Sequence, residues 1–283
     1  MKYVCSGLNG FIGSNIKRML DDKHTVVGIS QQLLYAPDDL KTFFEEENPD
    51  YIVHLASYGN HSNQQDVALT IFSNIIGTYN MLSASKDINY KKFIHVGSSS
   101  EYGKKNFPMR ETDMPETDTF YGASKVGATY IARAFAVKKP VVIVRPFSVY
   151  GENEADFRFI PTAIKHLIKG TEMPLATAPV HDWIYVEDFI SGMFLAAEKA
   201  ENGEIVNIGT GRERSNKEII EVLENISGKK LSYTESEGSK KPHDNLYWSA
   251  DMTKLISWGF ITKFPLGLGL MKTYEFYKDK YAE

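Results

Sequence analysis

The chain has a single cysteine, Cys5, in 283 residues. One thiol excludes an intramolecular disulfide framework and a cysteine-based zinc site, and no metal is expected. Basic runs are missing as well. Lys and Arg number 32 against 36 Asp and Glu, a formal net charge of −4, which excludes phosphate-driven binding of nucleic acid. No apolar run approaches the ~20 residues of a membrane span. The start, Met1-Lys2-Tyr3-Val4-Cys5, leads straight into a glycine turn without a signal-peptide layout. The expectation is therefore a soluble, cytoplasmic protein with no membrane partner. Neither a Pro/Gly/Ser-rich linker nor an internal repeat divides the chain. With 42% apolar and 24% charged residues, disordered and fibrous classes are excluded too. The length suits one large domain or two intimately packed ones.

The first half alternates short apolar runs with amphipathic stretches. Residues 2–6, 25–29, 51–55, 92–96 and 141–144 read as strands, and 38–47, 67–85 and 121–136 as helices, with Pro37 suited to a first turn. Short runs buried on both faces and separated by helices predict a doubly wound parallel sheet, a Rossmann fold, over residues 1–150. From 151 to 283 the rhythm loosens into helices at 159–169, 188–201, 216–227 and 266–281 and short β pieces at 183–186, 205–208 and 231–233. This part reads as a smaller C-terminal α/β substrate lobe, partly interwoven with the first and sharing a cleft with it. Residues 234–245 read as a polar loop, solvated or folded over a ligand.

Gly7-Leu8-Asn9-Gly10-Phe11-Ile12-Gly13 joins the first strand to the first helix. Glycines there let the backbone turn, approach a pyrophosphate and pack helix on strand, while the helix N-terminus offers free N–H groups to the phosphates. The spacing is GxxGxxG. The second strand ends Gly28-Ile29-Ser30-Gln31-Gln32, without the carboxylate that reads an NAD ribose and without an arginine. The missing acid removes the obstacle to a 2′-phosphate, so the choice points to NADP, with NAD left open.

Tyr121 and Lys125 stand at i and i+4, on one helical face. An ammonium beside a phenol, joined by the charge of an oxidised nicotinamide, favours the phenolate, and the phenol then exchanges a proton with a substrate oxygen. A YxxxK alone is common by chance. The fourth strand runs into Ser98-Ser99-Ser100-Glu101-Tyr102-Gly103, beyond a strand's carboxyl end where doubly wound sheets bind ligands. The GxSxG of a hydrolase is absent.

With these elements in order, the sequence resembles the extended short-chain dehydrogenases/reductases, the NAD-dependent epimerase/dehydratase group acting on nucleotide sugars. The resemblance runs through the glycine turn, Pro49 to Ala56, Asn74-Ile75-Ile76-Gly77-Thr78, the serine run and the Tyr–Lys pair. It continues through Arg145 to Gly151, His181 to Asp188, Asn207 to Gly211, and Ser249-Ala250-Asp251 before Trp258-Gly259. It implies Ser98, Tyr121 and Lys125 as catalytic residues. It implies a dinucleotide held by Gly7, Gly10, Phe11, Ile12, Gly13, Ser30, Leu55, Ala56, Ser57, Tyr121, Lys125 and Pro146, and a nucleotide-diphosphate sugar substrate. It further implies a homodimer paired through the helices at 67–85 and 121–136.

The departures matter. Relatives that remove water carry Asp-Glu directly after the catalytic Ser/Thr, and decarboxylases carry a Glu two places after it. Here those positions are Ser99 and Ser100. Glu101 is one residue out of register and, on extended backbone, faces the other side, unless a turn re-aims it. Ser148 and His181 replace an Asn and an Arg where the family contacts the nucleotide diphosphate. A narrower similarity to CDP-paratose/abequose synthase-type reductases brings Tyr58 and His61 next to the sugar, with Ser99 beside them. The implied activity is NAD(P)-dependent reduction of a 4-keto-6-deoxy sugar nucleotide. The alternative is 4-epimerisation with tightly held NAD, and a non-catalytic cofactor-binding protein is the remote reading.

Overall fold

A computed structural model describes residues 1–20, 23–61, 63–177, 179–235 and 247–282. The first half comprises β1 (Lys2–Ser6), α1 (Phe11–Leu20), β2 (Thr25–Ile29), α2 (Gln31–Leu34), α3 (Pro37–Glu47), β3 (Tyr51–His54), α4 (Val67–Ile71), α5 (Gly77–Ala84), β4 (Lys92–Val96), α6 (Phe120–Ala136) and β5 (Val141–Pro146). A π-helical turn, Phe72–Ile76, joins α4 to α5, and a 3-10 turn, Ser99–Tyr102, follows β4. The second half comprises β6 (Ser148–Tyr150), α7 (Phe159–Lys169), β7 (Met173–Leu175), β8 (Val180–Tyr185), α8 (Val186–Lys199), β9 (Ile205–Ile208), β10 (Glu213–Ser215), α9 (Asn216–Ser227), β11 (Tyr233–Glu235), α10 (Thr253–Ser257) and α11 (Leu266–Ala282).

The main sheet is all parallel, in the order β2-β1-β3-β4-β5-β9. Its strands alternate between two cores. Tyr3, Cys5, Ile94, Val96, Val142 and Val144 point into one, whereas Val4, Phe93, Val141 and Ile143 point into the other. That two-sided burial is why the strands read as unbroken apolar runs. The chain leaves β1 for β2 on one side and returns to β3 on the other, which opens a crevice at the carboxyl ends of β1 and β3. The second half supplies the sheet β10-β8-β6 and the pair β11-β7, and β9 returns to complete the main sheet.

Three differences from the sequence reading have local causes. The helix at 67–85 is one continuous rod only through its π turn, which no apolar period announces. β6, β7 and β10 are three residues each, too short to show a period. The strand placed at 231–233 lies at Tyr233–Glu235, paired with β7. Thr234 and Glu235 are thus strand, and 236–245 of the expected loop lie outside the described residues. The segment Val67–Ala84 is also long and apolar enough by composition to cross a membrane, where no such stretch was expected. Half of it is buried, and Asn74, Thr78 and Asn80 within it are buried polar residues bonded to neighbouring elements.

Candidate active site

The glycine turn closes on itself at the end of β1. Gly7 has φ +71°, and a Cβ there would lie 3.0 Å from the Ala56 nitrogen; one on Gly13 would lie 2.3 Å from the Gly7 carbonyl oxygen. Both positions admit only glycine. Gly10 is different. It is exposed, and an added Cβ meets nothing closer than the Gly7 oxygen at 3.2 Å. α1 begins immediately after it, so the unpaired N–H groups of its first turn, at Phe11, Ile12 and Gly13, and its positive dipole end border an open space. This is a cradle that fits a pyrophosphate. Leu55 and Ala56 follow β3 on the far side of the crevice, and Ser6 Oγ accepts the Ala56 N–H at 3.2 Å. Ser30 follows β2, where its hydroxyl accepts the Leu33 N–H and caps α2. Pro146 ends β5.

Tyr121 lies in the first turn of α6, whose N-terminus is capped by Thr119 accepting the Gly122 N–H at 3.1 Å. The hydroxyls of Ser98 and Ser57 face its phenol and favour the ionised form. Burial nonetheless raises the phenol above its ordinary value, with Glu101 adding to the rise and Arg158 opposing it. Lys125 is not among the groups that shift the phenol here; the expected lowering joined its ammonium to the charge of an oxidised nicotinamide. Lys125 is itself desolvated, its pKa lowered to about 8, and its ammonium donates to the Val96 carbonyl at 2.7 Å. Beneath it His54 and His95 are buried with ring centroids 5.8 Å apart. Burial holds both neutral, His54 at about 3.

Ser98 is the N-cap of the 3-10 turn, and its Oγ accepts the Ser100 N–H at 3.1 Å. The turn, rather than extended backbone, decides where Glu101 goes. Residues i and i+3 of a 3-10 turn eclipse, so the Glu101 carboxylate returns over Ser98. Its Oε1 accepts the Ser98 N–H at 2.9 Å, and its Oε2 accepts from Arg145 Nη2 at 2.7 Å and Nε at 3.0 Å. The carboxylate is fully buried. Ser99 is buried and Ser100 half-buried.

The residues expected near the sugar fall into two groups. Tyr58 is bound through its backbone: its N–H donates to Asn74 Oδ1 and its carbonyl accepts from Asn74 Nδ2, each at 2.8 Å. His61 is half-buried beside the exposed Phe157 ring and beside Arg158, which together with burial lowers its pKa. Ser148 and His181 lie on β6 and β8 of the second sheet, where Ser148 stands opposite Trp183 and the His181 ring is 5.1 Å from that indole. Asp182, between His181 and Trp183, is buried and accepts N–H bonds from Thr210, Gly211 and Ala250. Three of the resembling motifs thus meet at one carboxylate.

Two residues near Tyr121 escaped the sequence reading. Asn74 donates to Ser124 Oγ as well as to Tyr58, which ties the post-β3 loop to the helix carrying Tyr121; an Asn inside an apolar helix was the available signal. Arg158 opens α7 and carries its charge toward Tyr121 and His61.

The profile of the NAD dependent epimerase/dehydratase family matches residues 4–209. The chain belongs to that family. It is an enzyme of the extended short-chain dehydrogenase/reductase type that binds NAD(P). Among its relatives, dTDP-D-glucose 4,6-dehydratase of Dictyostelium discoideum is 29% identical over 206 residues, which are 66% of this chain and 47% of that protein. dTDP-glucose 4,6-dehydratase 1 of Escherichia coli (strain K12) is 25% identical over 335 residues, covering 98% of this chain and 92% of that protein. Among solved structures, UDP-glucuronic acid 4-epimerase from Bacillus cereus, in complex with UDP-glucuronic acid and NAD, matches with a TM-score of 0.88 at 26% identity. The match covers 99% of this chain and 100% of that one.

Proposed function

We propose that this family member works at C4 of a nucleotide-diphosphate sugar and reduces a 4-keto-6-deoxy sugar nucleotide. The observation that carries the reading is the composition of the reacting corner. Hydroxyls of Ser98 and Ser57 meet the Tyr121 phenol, while Glu101, the acid of the serine run, is turned into the protein onto Arg145. Removing water across C5–C6 needs an acid and a base at the second carbon, and Ser99 and Ser100 supply neither. Reduction at C4 needs one proton donor and one hydroxyl to orient the carbonyl.

In this reading Ser98 donates a hydrogen bond to O4, and Tyr121 delivers the proton as the carbonyl becomes a hydroxyl. The raised phenol keeps that proton available at neutral pH. Lys125 places a positive charge beneath the site and takes part in holding the nicotinamide ribose. Gly7, Gly10, Phe11, Ile12 and Gly13 hold the pyrophosphate, Ser30 lies at the adenine ribose, and Leu55, Ala56, Ser57 and Pro146 line the nicotinamide side. When bound, the nicotinamide supplies the hydride. The carboxylate-free end of β2 supports NADP. Tyr58, His61, Ser99, Ser148 and His181 are assigned to the sugar and diphosphate.

A second reading, 4-epimerisation with retained NAD, is favoured by the TM-score of 0.88 with a 4-epimerase. The same Ser98, Tyr121 and Lys125 serve it. Incubation with an NDP-4-keto-6-deoxyhexose and NADPH, followed by mass spectrometry, is expected to add two hydrogens. An isobaric product from NDP-glucose without added cofactor supports the epimerase instead. Loss of water from NDP-glucose overturns the C4 reading.

The partner supported for the chain is a second copy of itself. α4, α5 and α6 pack side by side and turn Ile71, Phe72, Tyr79 and Tyr130 outward, each between 43% and 53% exposed. An apolar face of this kind marks an interface.

A further inference from the structure

Glu101 does more than fill space behind the serine run. Its carboxylate is fully buried and makes three bonds: one to the backbone of Ser98 and two to Arg145. The surroundings are shaped for it. A Cβ on Gly97 would lie 2.4 Å from Glu101 Oε1, so the carboxylate reaches Ser98 only because residue 97 is glycine. Arg145 is buried as well and lies over the Tyr102 ring at 4.4 Å from the centroid, which fixes the guanidinium from the other side.

Among the described residues, the charged or titratable groups around this corner come from several elements: Arg145 from β5, Tyr121 and Lys125 from α6, Arg158 from the start of α7, the neutral His54 and His95 from β3 and β4, Tyr102 from the 3-10 turn, and Glu111 beyond Tyr102. Glu101 is the acidic group whose field reaches both Tyr121 and Lys125. Through its bond to the Ser98 N–H it also sets the backbone from which the Ser98 hydroxyl meets the Tyr121 phenol.

We propose that Glu101, held by Arg145, is a positioning residue: it aims the Ser98 hydroxyl at Tyr121 without touching substrate or cofactor. Its negative charge also favours the protonated forms of Tyr121 and Lys125. The inference rests on the reading of Tyr121 as the proton donor. Both protons are held more tightly next to a fixed negative charge, which suits a corner that must give a proton up to substrate rather than lose it to water.

The test is a tyrosinate absorbance titration of the full chain. The signal of Tyr121 is isolated by subtracting the curve of the same protein carrying Tyr121→Phe. In Glu101→Gln the Tyr121 midpoint is expected to fall by about one pH unit, the scale of a lost neighbouring charge. Turnover is expected to drop between about tenfold and 10²-fold from the loosened Ser98. Glu101→Gln leaves a buried guanidinium unpaired and endangers folding. The second variant, Glu101→Leu/Arg145→Met, therefore replaces both partners by apolar groups of similar volume. In that variant the melting temperature is expected to recover while the Tyr121 midpoint and turnover stay low. Recovery of all three overturns the inference and leaves the pair purely structural, and so does an unmoved midpoint in Glu101→Gln. A Tyr121→Phe control that keeps full turnover overturns instead the reading on which the inference rests.

Discussion

Two glycines of one turn, Gly10 and Gly13, separate cofactor binding from folding. Gly10→Val places a branched side chain where α1 opens to solvent. The nearest atom to its Cβ is the Gly7 oxygen at 3.2 Å, a contact relieved by a few tenths of an ångström, and the position is exposed. The cost to the fold is on the order of 1 kcal/mol or less, or about 2–4 °C of melting temperature in a chain of this size. The same side chain occupies the approach of a pyrophosphate to the first turn of α1. Losing those N–H bonds and the dipole contact is expected to weaken NADPH or NADH binding by at least 10²-fold, about 2.7 kcal/mol. Gly13→Val is the contrast. Its Cβ would stand 2.3 Å from the Gly7 oxygen and 2.6 Å from Leu8 Cα, backbone atoms that cannot yield, so folding and binding fail together. Thermal melts and titration of reduced-nucleotide fluorescence give both quantities for each variant. A Gly10→Val protein that binds nucleotide as tightly as wild type refutes the reasoning, because the turn would then be a chain reversal and nothing more.

Three further outcomes are expected. Tyr121→Phe keeps the ring and the fold but loses the transferable proton, and its turnover falls by the 10²–10⁴-fold typical of an acid–base group; unchanged kcat removes Tyr121 from the chemistry. Burial lifts Glu154 from 4.5 to about 7, so between those values the folded state holds a proton the unfolded state releases, and stability falls as pH rises through that window. Glu154→Gln is accordingly expected to gain up to roughly 3 kcal/mol above pH 7 and almost nothing near pH 4, and equal melting temperatures at pH 8 for variant and wild type refute the assignment. Phe72→Asp/Tyr79→Asp, on the exposed face of the π turn and α5, is expected to convert a dimer to a monomer by light scattering, and a wild-type monomer removes the dimer reading.

Most of the fold was legible because two-sided burial writes itself as short apolar runs, and because the β1–α1 turn announces itself by glycines at 7, 10 and 13. The candidate site was legible where a short motif places its residues, as the YxxxK spacing and the serine run do for Tyr121, Lys125 and Ser98. It was illegible where a role depends on contacts distant in sequence. Nothing near Asn74 says that its amide bridges Tyr58 and Ser124, and the π turn that presents it has no period of its own. The direction of the Tyr121 shift also lay beyond sequence. Spacing showed an ammonium one turn away, but desolvation of the phenol, the largest cause of its shift, is a property of the packed cleft.

In the proposed reading the reaction is decided within a few residues of Ser98 rather than by the scaffold. Relatives at 25–29% identity remove water, and a neighbour with a TM-score of 0.88 inverts a carbon, so overall likeness does not choose between them. A 3-10 turn advances three residues per revolution, and each step of one residue swings a side chain by about a third of a circle. Carboxylates one and two residues after Ser98 would leave it in other directions than Glu101, three residues after it, which eclipses Ser98 and closes on its backbone and on Arg145. In the proposed reading, moving an acid by one place along this turn takes it out of the cleft and gives it to the fold, where Glu101 binds Ser98 and Arg145. What stays in the cleft is a set of hydroxyls over a buried lysine, chemistry sufficient to pass one proton to one oxygen.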